Sequence, residues 1–90
     1  MSRLVWVSDA GHAWLSVAIE DVKELGLSPA SFSVYSYVSR VSKRLYLEED
    51  CDAGVFLNAY SNKFGKMPEI RKGRPVDRSF VRSLPSILVA

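Results

Sequence analysis

The chain has 90 residues, room for one hydrophobic core, so a single domain over residues 1–90 is predicted and a second is excluded. Hydrophobic residues make up 48% and charged residues 24%, the balance of a chain that folds rather than that of a disordered tail. The net charge of +2 hides a division, because residues 1–60 carry 5 basic and 8 acidic side chains whereas residues 61–90 carry 7 and 2. An acidic body with a basic end points either to a self-complementary monomer or to a surface that meets a polyanion or an acidic protein.

In chain order, Leu4 to Val7 is rich in branched and aromatic side chains and reads as a strand. Asp9-Ala10-Gly11 supplies turn chemistry that folds it back onto a second strand, Ala13 to Val17. From Ala18 the period changes. Ile19, Val22 and Leu25 recur at three-residue spacing, with Gly26 as a stop and with Glu20 and Asp21 at the end where a helix dipole favours acids. Leu27 to Phe32, which contains Ser28-Pro29, is a connection. Ser33 to Ser39 reads as a third strand, Ser42-Lys43-Arg44 as a turn, and Leu45 to Leu47 as the returning strand.

Glu48-Glu49-Asp50-Cys51-Asp52 follows, and then a helix whose apolar stripe is Val55, Phe56, Ala59 and Tyr60, with Asp50 or Asp52 placed to cap it. Gly65 closes that helix. A short strand is expected around Glu69 to Arg71, a loop over Arg74 to Arg78, and a last edge strand over Ser79 to Leu84 before Pro85. The order ββαββαβ predicts an α+β fold. Its sheet is mostly antiparallel with about four to six strands, and two short helices cover one face while the other is left partly to solvent or to a partner.

Cys51 is the only cysteine, so no internal disulfide forms and a reducing compartment, the cytoplasm, is the expected location. No run approaches the ~20 apolar residues of a spanning helix, so no membrane association is expected. One histidine and one cysteine leave too few ligands for a zinc site, and the acidic run lacks the spacing of a calcium loop. Neither a metal nor a cofactor is predicted. His12 is the one imidazole that could activate Cys51, but the four carboxylates around that cysteine favour the neutral thiol, so no catalytic residue is assigned.

Two surfaces remain as candidates. Glu48, Glu49, Asp50 and Asp52 either cap a helix or form an acidic patch for a basic partner. Arg71, Lys72, Arg74, Arg78 and Arg82, near Phe80, form either ordinary solvated surface or a patch for a protein or a nucleic acid.

Ser8 to Val17 (SDAGHAWLSV), Tyr35-Ser36-Tyr37, Tyr46 to Ala53 (YLEEDCDA) and Ser79 to Pro85 together resemble a family of small bacteriophage- and plasmid-encoded proteins of uncharacterised activity. The resemblance covers most of residues 5–57 and the segment 79–85. It implies a mobile genetic element as context and carries over no catalytic residue. The sequence-level expectation is a non-catalytic protein-binding module that blocks a host or defence complex. The alternative is a nucleic-acid-binding accessory protein that uses the basic C-terminal third. Homodimerisation through an open sheet edge or face is compatible with both.

Overall fold

A computed structural model describes residues 1–88. Strand β1 (Val5–Ser8) turns through Asp9–His12, where the Asp9 N–H donates to the His12 carbonyl at 2.9 Å, and returns as β2 (Ala13–Ala18) with Trp6 opposite Leu15. Helix α1 (Ile19–Glu24) follows directly. A second hairpin pairs β3 (Tyr37–Ser39) with β4 (Arg44–Glu48), and its tight turn holds Lys43 at φ 56°. Helix α2 (Ala53–Phe64) ends at Gly65, whose φ of 74° is the left-handed geometry that glycine adopts without a side-chain clash. Strand β5 (Arg71–Lys72) completes a sheet in the order β3-β4-β2-β1-β5.

The predicted ββαββαβ order and α+β class are observed. Three of the four strand pairings are antiparallel, and β5 lies parallel to β1. The central pairing of β2 with β4 sets Leu15 opposite Leu47 and Val17 opposite Leu45, so these four side chains share one face. Val22 of α1 and both Ala53 and Phe56 of α2 pack into the same cluster, which places both helices on that face. Phe56 is fully buried, and truncating such a side chain to alanine costs about 3–5 kcal/mol.

Four expectations are corrected. Ser79 to Leu84 is not an edge strand: Phe80–Ser83 is a 3₁₀ turn, because Ser79 accepts a hydrogen bond from the Val81 N–H at 3.2 Å and starts a helical turn that strand propensity does not overcome. Ser33 to Ser36 is loop, because the Ser33 N–H and the hydroxyls of Ser33 and Ser36 are all taken by Asp52. Asp52 therefore does not cap α2 with its side chain, although it occupies the capping position. The sheet face away from the helices is not simply open, since the 3₁₀ turn lays Val81 over Trp14 and Tyr46 there.

Both sheet edges are guarded. Beyond β3, the Val38 N–H donates to the Pro85 carbonyl at 3.0 Å and the Ile87 N–H to the Ser36 carbonyl at 2.9 Å. The other edge, β5, is two charged residues long. Gly73 follows it and donates its N–H to the Trp6 carbonyl at 2.7 Å, an approach so close that an added Cβ would lie 2.9 Å from that oxygen. Among the described residues no helix is long and apolar enough to cross a membrane.

Candidate functional site

Asp9 follows β1 and organises one end of the sheet. Its Oδ1 accepts the backbone N–H groups of Gly11 and His12, each at 3.0 Å, which fixes the β1–β2 turn. Arg82 grips the same carboxylate with a fork, Nε to Oδ2 at 2.6 Å and Nη2 to Oδ1 at 2.9 Å, and the Ser79 N–H adds a bond to Oδ2 at 3.0 Å. These donors, Arg82 foremost, hold the Asp9 carboxyl well below the usual carboxylate range against the opposing effect of burial. Asp9 in turn raises the basicity of Arg82. The guanidinium comes to rest 5.4 Å from the centroid of the Trp14 ring. Gly11 permits this packing, since a Cβ there would sit 3.0 Å from Arg82 Nη2.

Glu48, the last residue of β4, is buried and faces the same end. Its Oε2 accepts the N–H groups of Asp50 and Cys51, each at 2.8 Å, so this carboxylate shapes the turn between β4 and α2. Its Oε1 lies 4.0 Å from His12 Nδ1. Cys51 is exposed, but shielding of its sulfur and the nearby carboxylates of Glu48, Asp52 and Asp50 push the thiol pKa up.

Between Arg82, held by Asp9, and Glu48 opens a cleft of ≈ 260 Å³. Three aromatic side chains line it, Trp14, Tyr35 and Tyr37, together with the carboxylates of Glu48 and Asp50, and His12, Cys51 and Arg82 complete the wall. The Trp14 and Tyr37 rings meet edge-on with centroids 6.2 Å apart, and His12 tilts over Trp14 at 6.0 Å. Tyr35 is 61% exposed and forms the rim. Trp14 Nε1 is buried and has no hydrogen-bond acceptor among the described residues.

Ser36 explains the placement of the two tyrosines. Its hydroxyl is fully buried, donating to Asp52 Oδ2 and accepting from the Glu48 N–H at 3.0 Å. With Ser36 turned inward, its neighbours Tyr35 and Tyr37 both reach the cleft.

The acidic run does not form one surface. Glu48 and Asp50 line the cleft, Glu49 is exposed outside its wall, and Asp52 is buried with its oxygens taken by Ser33 and Ser36. The basic end divides as well. Arg71 and Lys72 lie on β5, Arg74 and Arg78 are exposed in the following loop, and Arg82 belongs to the cleft.

His12 and Cys51 share this cleft, with Glu48 between them. Shielding of the sulfur and the neighbouring carboxylates raise the Cys51 thiol pKa, the opposite of the shift that activates a nucleophilic thiolate. Among the described residues no three His, Cys, Asp or Glu side chains are grouped to hold a metal ion.

Sequence reasoning missed Asp9 as an anchor and Trp14, Tyr35 and Tyr37 as a lining. One signal was available in Asp9-Ala10-Gly11, an aspartate two residues before a glycine, which is the pattern of a side chain that closes its own turn. The Tyr-Ser-Tyr alternation around one small residue was another. No family model, curated protein or solved structure matches the chain.

Proposed function

We propose that the protein is a non-catalytic binding module that seats a basic side chain of a protein partner in the cleft beside Tyr35 and Glu48. The observation that supports this reading is the pairing of aromatic rings with carboxylates in one concavity. A guanidinium or ammonium is attracted to ring faces by about 0.5–2 kcal/mol, and a carboxylate at the same point adds a charge-assisted hydrogen bond. Glu48 and Asp50 bring negative charge, and Arg82, already paired with Asp9, presents a neutralised cation to the guest. The four segments that carry the resemblance to phage and plasmid proteins meet at this cleft, and occupation of a host or defence complex in the cytoplasm is the role that resemblance implies.

The test is affinity capture of the tagged protein from host lysate with nuclease, using wild type, Tyr35→Ala and Asp50→Lys, read by mass spectrometry. Both side chains are exposed, so circular dichroism should show an unchanged fold. A stoichiometric partner held by wild type and lost by both variants is the expected result. Equal capture by all three sinks the reading.

A further inference from the structure

We propose that a second site, a groove at the opposite end of the sheet built on Arg3, Lys66 and Arg71, binds the phosphate backbone of a nucleic acid. The groove has a volume of ≈ 520 Å³, and its cations come from two segments remote in sequence, Arg3 just before β1 and Lys66 and Arg71 in the stretch that leads from α2 into β5. Arg71 reaches it because β5 lies parallel to β1, with the Arg71 N–H donating to the Leu4 carbonyl at 3.0 Å. The backbone around Arg3 is fixed from both sides: the Ser2 N–H donates to Asp21 Oδ2 at 2.9 Å, and Arg44 Nη2 donates to the Arg3 carbonyl at 2.6 Å. Lys66 arrives through the left-handed turn at Gly65, where the N–H closes on the Ser61 carbonyl at 2.8 Å.

Charge pairing separates these three residues from cations that the fold consumes. Arg82 is bound to Asp9, Lys63 lies 3.8 Å from Glu24, and Arg44 donates to Ser16. Arg3, Lys66 and Arg71 are exposed and form no ion pair among the described residues. Among the described residues Glu69 is the one carboxylate in the wall, leaving an excess of positive charge. Lys72 and Arg74, also exposed, follow Arg71 in the chain but do not line the groove. A run of unpaired cations fits a ligand whose negative charge repeats along its length, and Tyr60 in the wall offers a ring to a base.

The experiment titrates intact protein into a fluorescently labelled single-stranded oligonucleotide and reads anisotropy at several salt concentrations. Three phosphate contacts predict a slope of about −2 in log affinity against log salt, a loss of about 20-fold between roughly 50 and 200 mM. Each of Arg3→Ala, Lys66→Ala and Arg71→Ala should flatten the slope by about 0.7, and the triple variant should abolish binding. Arg40→Ala removes an exposed cation from the β3–β4 turn and should leave the slope unchanged. Absence of binding at low salt, salt-independent binding, or a triple variant equal to wild type overturns the proposal. So does polyglutamate binding as tightly with the same dependence on the three residues, which would make the ligand an acidic protein. Should the triple variant lose its circular dichroism signal, the three single-variant slopes decide.

Discussion

Asp9 satisfies two turn amides, the Ser79 N–H and both arms of the Arg82 fork, so one carboxylate ties the β1–β2 turn to the C-terminal 3₁₀ turn. Every one of these donors prefers the ionised acid, and the folded protein therefore holds its pKa below that of the unfolded chain. The sign of the linkage follows. Stability supplied by Asp9 is fully present above the unfolded aspartate pKa of about 3.9 and is lost as pH falls below it. Urea midpoints measured from about pH 7 down to pH 2 should therefore decline steeply below pH 4 in wild type. Asp9→Asn should be less stable at neutral pH and should show a shallower acid decline, so that the two curves converge in acid. Curves that stay parallel would mean that the Asp9 carboxylate is not depressed in the folded state.

Ser36 plays a comparable part between elements, because its hydroxyl joins the β3 entry loop to the α2 capping residue Asp52 and to the backbone of β4. Ser36→Ala strands the buried Glu48 N–H and removes one donor from Asp52, which costs about 1–3 kcal/mol in a urea unfolding experiment. Ser33→Ala should cost less, since the Ser33 backbone N–H still donates to both Asp52 oxygens. No measurable change on Ser36→Ala would show that the hydroxyl is not a structural link. The two hairpins, α1 and α2 were legible in the sequence because each is written locally, in turn residues at Asp9 to Gly11 and Ser42 to Arg44 and in a change of hydrophobic period at Ala18. Asp52 and Arg82 were misread for the opposite reason. Their partners lie 16 to 73 residues away, at Ser36 and Asp9, and no local pattern encodes such a bond. The cleft was half visible for the same reason: Glu48 and Asp50 stood out as a charge run, whereas the aromatic lining exists only after β2, β3 and β4 have been brought side by side.

At the scale of the molecule, strand direction separates the two proposed sites. The cleft gathers the end of β4 with the starts of β2 and β3, while the groove sits where β1 and β5 begin, so the antiparallel order places them at opposite ends of the sheet. Among the described residues they share no lining residue. Charges this far apart interact weakly across water once salt reduces the screening length to about 8 Å, so changes at one end should not reach the other. Tyr35→Ala and Asp50→Lys should abolish partner capture and leave oligonucleotide affinity at moderate salt unchanged. Arg3→Ala with Arg71→Ala should weaken oligonucleotide binding and leave partner capture unchanged. This crossed pattern distinguishes a two-ended adaptor from a protein with one continuous interface. If the groove variants also release the protein partner, then a single partner spans both ends, and the positive groove belongs to the same contact as the cleft.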